Sequence, residues 1–324
     1  MASMICTRTD EEIRKEIYIP NVVDHINCCR APILTKIKNL WEAGAMFKCE
    51  KFRADAGYFT KGDMTFLEAY EKTGRILNIT AVSMESHSKL KVLNYINTPH
   101  VTIRSAVVAS SAIPGILPAS ELFMKDKNGK VVPFYDAGKL WRDGSLISDI
   151  PEKELHQLFR VKHTIVSQVN PHISMFFYSP KGRAGDPSIY RSGKGWRGGF
   201  LMAALIRYFL LDLSKWLTFI RDMELLPRIM GTNFSNIWLQ RFEGNLTILP
   251  PTRSIMDLMR LTTDPDSKRL SEFIRNGELK TFPVILPIIN RLRIERCIEK
   301  LYLQLLETED SQVYGTFPCR RQMF

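Results

Sequence analysis

Helical and strand-like patterns alternate along residues 1–178 of this chain, and that alternation restricts the folds it can adopt. Residues 65–73 have helical periodicity, Gly74 provides a helix stop, and residues 76–82 alternate like a strand. Chains that alternate in this way bury a sheet beneath helices. The sequence therefore predicts an α/β fold for residues 1–178.

Other local signals in this region fit the same pattern. Thr9 followed by acidic residues predicts a capped helix beginning near residue 10. Residues 101–109 are rich in β-branched side chains and predict a strand, and Pro114, Gly115 and Pro118 predict a fixed loop after it. The charged turn KDKNGK separates two strand-like pieces.

A strand, a sharp turn and a helix are predicted for the segment KLWRDGSLISDIPEKELHQLF. Asp149 is expected to cap that helix, and Pro151 suits its first turn. Residues 161–169 then predict a buried strand.

The rest of the chain differs in character. Residues 179–199 are rich in Gly, Ser, Pro and basic side chains, which predicts a linker or surface loop. Residues 200–324 are expected to form a mostly helical tail, with helical stretches at 254–262, 267–276 and 291–307.

Residues 200–226 form a strongly apolar segment with one narrow polar stripe. Two interpretations stay open: packing of the apolar face on the sheet, and insertion of that face into a lipid surface. The basic loop before it favours an anionic surface. The stripe comprises Arg207, Ser214, Lys215, Thr218, Arg221 and Asp222.

Composition limits the class of protein. The apolar fraction of 45% and charged fraction of 24% are typical of a globular chain, and the net charge of +11 favours anionic partners. No apolar run is long enough to span a bilayer, no secretory signal is visible, and the sparse cysteines suit reduced thiols, so an intracellular location is expected. No nucleic-acid-binding motif occurs.

One aspartate stands out chemically. Asp143 and Gly144 lie where a strand is predicted to end before a helix, a position from which side chains project at the edge of an α/β sheet. A carboxylate there can act as a base, although Asp-Gly is also a favoured turn dipeptide.

The sequence around this pair resembles the second half of patatin-like triacylglycerol lipases of the fungal and plant type. The similar segments are CTRTDEE, TFLEAYEKTGRILNI, SAVVASSAIPGILPA, WRDGSLISDIP, LFRVKHTIVSQVNPH and MELLPRI. The resemblance implies a three-layer α/β/α core that lacks its first strands. It also implies that Asp143 is the base of a Ser-Asp dyad, that Gly144 is its motif glycine and that Ser145 fills a small-residue position.

The nucleophile of that dyad is not found in the sequence. None of the 18 glycines is followed by serine two positions later, so the motif G-x-S-x-G does not occur. By resemblance, the nucleophile and the glycine-rich oxyanion loop would precede CTRTDEE, and Ser3 lacks the flanking glycines. No histidine is followed by aspartate five positions later, as an acyltransferase motif of some family members requires.

The resemblance therefore implies hydrolysis of acylglycerol esters at a lipid droplet or membrane surface, with the chain as given expected to be inactive. The alternative is a non-catalytic protein, a shortened form that binds a lipid surface or a partner. No cofactor and no metal site are predicted.

Overall fold

The computed structural model describes residues 1–17, 19–26, 29, 31–85, 90–135, 139–169, 200–223, 240, 244–248 and 263–313. The chain divides into two compact units. Unit 1 comprises Met1–Thr164, Met202–Phe242 and Arg253–Phe273, and unit 2 comprises Ile165–Leu201, Glu243–Thr252 and Ile274–Phe324. The proposed boundaries at 178 and 199 stay a prediction, and residues 179–199 and 254–262 lie outside the described residues.

Among the residues described between 1 and 83, six helices precede the first strand. They are α1 (Ala2–Cys6), α2 (Asp10–Glu16), α3 (Ile19–Asp24), α4 (Ile33–Ala43), α5 (Cys49–Phe59) and α6 (Phe66–Thr73). The predicted cap at Thr9 is confirmed, because Thr9 forms a reciprocal capping box with Glu12. Thr65 forms the same arrangement with Glu68, which was not predicted from the sequence. Gly74 ends α6 in the left-handed conformation, as its position predicted.

Buried Arg8 ties the N-terminal helices to the end of α5. Its Nε lies 2.7 Å from a carboxylate oxygen of Glu16, and its Nη2 donates to the carbonyl of Tyr58 at 2.7 Å. The Tyr58 hydroxyl in turn donates to the carbonyl of Glu16 at 2.9 Å. Because Arg8 is 2% exposed, these bonds are needed to satisfy a guanidinium that water does not reach.

The central sheet of unit 1 contains β1 (Ile79–Ser83), β2 (Leu90–Leu93) and β5 (Trp141–Asp143) in the order β2-β1-β5, with antiparallel pairing throughout. A separate hairpin pairs β3 (Phe123–Lys125) with β4 (Val131–Pro133) across the predicted charged turn. Helix α7 (Ile103–Ser110) packs against β1 and β5. The predicted α/β class is confirmed.

The strand predicted for residues 101–109 was wrong, because this segment contains helix α7. Its residues are buried on several faces, so the apolar pattern lacks the polar stripe that marks a surface helix. The β-branched side chains then favoured a strand, and tertiary packing overrode that preference. The core around α7 comprises Cys6, Phe66, Ala69, Leu77, Ala81, Leu93, Val101, Ile103, Ala106, Ala109, Leu122 and Trp141.

Two further local predictions need correction. Helix α8 (Glu152–Phe159) begins after Pro151, which occupies the N-cap position, and no side chain caps it. The predicted cap by Asp149 was therefore wrong. The predicted buried strand at 161–169 is reduced to β6 (Ile165–Ser167), where Ile165 is exposed.

Of the residues that the structure describes between 200 and 313, most are helical, as predicted. This part of the chain contains α9 (Phe200–Asp222), α10 (Ser267–Thr281) and α11 (Ile285–Val313), with a short 3-10 helix at Phe282–Val284. In unit 2, β6 pairs in parallel with β7 (Leu246–Ile248). Within the described residues, no helix combines the length and apolar content that a membrane crossing requires.

Candidate active site

Asp143 is the last residue of β5, and its backbone is held on both sides. It lies opposite Ala81 of β1, and its N–H donates to the carbonyl of Ala112 at 3.2 Å. Two residues earlier, Trp141 exchanges backbone hydrogen bonds of 2.8 and 2.9 Å with Ser120. The strand therefore fixes Asp143 between β1 and the loop that follows α7.

That loop is the one predicted from Pro114, Gly115 and Pro118. Gly115 adopts a φ of +83°, which favours glycine, and its carbonyl accepts from the N–H of Met46 at 3.0 Å. The next carbonyl, of Ile116, accepts from the N–H of Phe47 at 3.1 Å. The loop beside Asp143 is thus anchored by backbone bonds to the segment after α4.

The Asp143 carboxylate is held by the residue two positions later. Its Oδ1 accepts from the backbone N–H of Ser145 at 2.9 Å, and its Oδ2 accepts from the Ser145 hydroxyl at 2.6 Å. Asp143 thereby caps the 3-10 helix at Gly144–Leu146. A carboxylate offers about four lone-pair directions, so one further hydroxyl can still be accepted.

The electrostatic setting of Asp143 favours proton uptake. The residue is 7% exposed, and burial raises the pKa of its carboxyl above the ordinary value. The two bonds from Ser145 act in the opposite direction, and the charge of Asp149 adds to the increase in pKa. A buried carboxylate with a raised pKa is a stronger base than an exposed one.

The predicted motif residue Gly144 lies against β1. A Cβ atom on Gly144 would lie 2.6 Å from the Cβ and 2.7 Å from the carbonyl carbon of Thr80. Such contacts are shorter than real Cβ atoms make, so only glycine fits between Asp143 and the turn. The glycine of the Asp-Gly pair therefore has a steric role at this site.

Sequence reasoning missed one residue of the site, Gln240. Its side-chain Nε2 donates to the carbonyl of Ser145 at 3.1 Å, and its Oε1 accepts from the backbone N–H of Asp149 at 2.9 Å. The contacts span 95 and 91 residues of sequence. No local pattern marks a glutamine that binds two distant backbone groups, so no sequence signal could have identified it.

The structure places Ser3 on α1, where it is 6% exposed and its carbonyl accepts from the Thr7 hydroxyl and N–H. A serine on a regular helix lacks the sharp strand-to-helix turn that exposes a nucleophile. Ser145, in contrast, contacts Asp143 directly, but its hydroxyl and its N–H bind the carboxylate together. This arrangement is that of a turn whose aspartate caps its own backbone.

Helix α9 presents an exposed apolar stripe in unit 1. Side chains at three- and four-residue spacing are more than half exposed, including Phe209 at 67% and Trp216 at 57%. The sequence left open whether this face packs on the sheet. These side chains are too exposed to be packed there. The stripe comprises Leu205, Phe209, Trp216 and Phe219, with Met223 directly after the helix, and exposed Asp212 interrupts it between Phe209 and Trp216.

The fold and site together define a class: an α/β protein in which a strand of the central sheet ends in a buried aspartate whose carboxyl pKa is raised. No protein-family model matches the chain, and no solved structure matches it. Curated fungal proteins do match. The chain is 46% identical over 301 residues to a patatin-like phospholipase domain-containing protein of Pyricularia oryzae, covering 93% of this chain and 38% of that protein.

Similar proteins of the same description occur in other fungi. One from Chaetomium globosum is 44% identical over 93% of this chain and 35% of its own length. One from Coccidioides immitis is 43% identical over 99% of this chain and 43% of its own length. Over nearly its whole length the chain is therefore similar to fungal patatin-like phospholipase domain-containing proteins, and it spans about two-fifths of the length of these relatives.

Proposed function

We propose that this chain supplies the base half of a lipid acyl hydrolase whose substrate is a triacylglycerol or a related acyl ester. Asp143 takes the proton of a serine hydroxyl that attacks the ester carbonyl, without an intervening histidine. The observation that carries the proposal is the buried carboxylate at the end of β5, with a raised pKa and spare acceptor capacity. Similarity to fungal proteins that are named for a patatin-like phospholipase domain supports it.

The attacking serine is not supplied by a G-x-S-x-G motif of this chain. We infer that it belongs to residues outside this sequence, and that these 324 residues alone do not turn over esters. Removal of the nucleophile from a serine hydrolase lowers turnover on the order of a million-fold. The longer curated relatives contain ample sequence for such a segment.

A chimera tests whether this chain supplies the base and residues outside it supply the nucleophile. The matching 301 residues of the Pyricularia relative are replaced by this chain, and hydrolysis of emulsified triacylglycerol is measured for the chimera and for the isolated chain. We expect hydrolysis by the chimera only. Hydrolysis by the isolated chain would contradict the proposed division, and an inactive but folded chimera would contradict the hydrolase function.

A second candidate function is attachment to a lipid surface, such as a lipid droplet or an anionic membrane. The exposed apolar stripe of α9 favours it, because aromatic and aliphatic side chains at helical spacing suit the boundary between headgroups and acyl chains. The net charge of +11 favours anionic lipids. This function does not depend on catalysis.

Vesicle binding tests the second candidate with a matched pair of variants. The full chain is sedimented with phosphatidylserine-containing vesicles at low and high salt. We expect binding that weakens with salt and is reduced by Phe219→Ser, whereas Tyr135→Ser, which alters an exposed aromatic side chain outside α9, leaves it unchanged. Equal binding by both variants would exclude α9 as the contact.

A further inference from the structure

Gln240 binds both ends of the turn following Asp143. At the beginning of the turn, its Nε2 donates to the carbonyl of Ser145, and at the end, its Oε1 accepts from the N–H of Asp149. A side-chain amide has one donor group and one acceptor group, and here each is used on the main chain. The turn is therefore cross-linked by a single side chain.

The same Ser145 holds the carboxylate. Its N–H and hydroxyl reach the two oxygens of Asp143 at 2.9 and 2.6 Å, so any shift of the Ser145 backbone changes both bonds. Gln240 binds the carbonyl of this very residue. The path from Gln240 to the Asp143 carboxylate thus contains one residue and three hydrogen bonds.

We propose that Gln240 is a positioning residue for Asp143: by fixing the turn from Ser145 to Asp149, it sets the direction of the carboxylate and the bonds that the carboxylate receives. The role of this positioning in ester hydrolysis rests on the proposed function of Asp143. Gln240 itself touches no reacting atom. It acts on the base through the backbone of Ser145.

A titration of Asp143 in the full chain tests the proposal. Aspartate carboxyl carbons are labelled with ¹³C, and the Asp143 signal is assigned by its loss in Asp143→Asn. The substitution Gln240→Met keeps the length of the side chain and removes both hydrogen bonds. We expect the pKa of Asp143 to rise in this variant, because the bonds from Ser145 that lower it are weakened.

The matched control is Gln157→Met, an exposed glutamine on α8, which leaves the Asp143 titration unchanged. A purely structural role for Gln240 lowers the melting temperature without moving the pKa of Asp143, and that result overturns the proposal. Should Gln240→Met fail to fold, Gln240→Asn replaces it, since its shorter amide reaches only one of the two backbone groups. An unmoved Asp143 titration in that variant also overturns the proposal.

The outcome is separable from that of the proposed function, because the titration needs no substrate. If Asp143→Asn leaves hydrolysis by the chimera intact, the hydrolase mechanism fails while the titration still reports the link from Gln240 to Asp143. If hydrolysis requires Asp143 but the pKa of Asp143 is the same in the Gln240 variant as in wild type, only the positioning role of Gln240 is refuted.

Discussion

Gly144 and Thr80 lie so close together that a Cβ atom on Gly144 would be 2.6 Å from the Thr80 Cβ. The strand pairing causes this approach, because β5 lies beside β1 with Asp143 opposite Ala81, the neighbour of Thr80. The residue after Asp143 must therefore lack a side chain. Any side chain at this position would push the turn away from β1.

We expect Gly144→Ala to lower the free energy of unfolding by about 1–3 kcal/mol, the usual range for overpacking. The matched control is Gly277→Ala, since Gly277 is an exposed residue of α10 with open space around it. That change is expected to raise stability by about 0.5–1 kcal/mol through helix propensity. Urea unfolding of both variants measures the difference, and equal effects would remove the steric role of Gly144.

Asp143 is expected to make the fold more stable in acid than at neutral pH. Burial raises the pKa of its carboxyl in the folded state above the ordinary 3.8, so its contribution to stability is fully present below that value. The contribution is lost as pH rises through the folded-state pKa. Asp143→Asn lacks this step, so its stability relative to wild type should increase from acid to neutral pH in chemical unfolding. A constant difference would contradict the raised pKa.

Glu12 should show the opposite dependence. Hydrogen bonds from Lys61 and Lys72 lower its pKa to about 2, so its contribution is present above the ordinary value of 4.5 and is lost as pH falls towards 2. We expect Glu12→Gln to reduce the melting temperature at neutral pH and to match wild type near pH 2. Glu11→Gln, a change at the exposed neighbour, serves as control; an equal loss there would indicate a general charge effect.

Parts of this structure follow from local sequence because their causes are local. The helices after Thr9 and Thr65 are predictable because a capping box involves residues three positions apart, and Gly74 ends its helix through its own backbone freedom. Asp143 was identified as a candidate base for a similar reason, since the Asp-Gly pair and the sequence that surrounds it lie in one short segment. Its burial and its contact with Ser145 are properties of the fold.

The misread elements depend on contacts between distant residues. Helix α7 contains Ile103, Val107 and Val108, which favour a strand in isolation, but it is buried between α5 and the sheet. Gln240 was missed because its partners lie more than 90 residues away in sequence. Neither helix α7 nor the contacts of Gln240 produce a periodic pattern in the sequence from which they could have been predicted.

The base role of Asp143 is tested most directly by the initial rate of triacylglycerol hydrolysis in the chimera, compared with its Asp143→Asn and Asp126→Asn variants. Asp126 lies in the turn between β3 and β4, so its variant controls for loss of an aspartate charge. We predict a rate lowered by at least about a hundred-fold in Asp143→Asn, the range for loss of a general base, and an unchanged rate in Asp126→Asn. Equal rates for the two variants in folded protein would contradict the base role of Asp143.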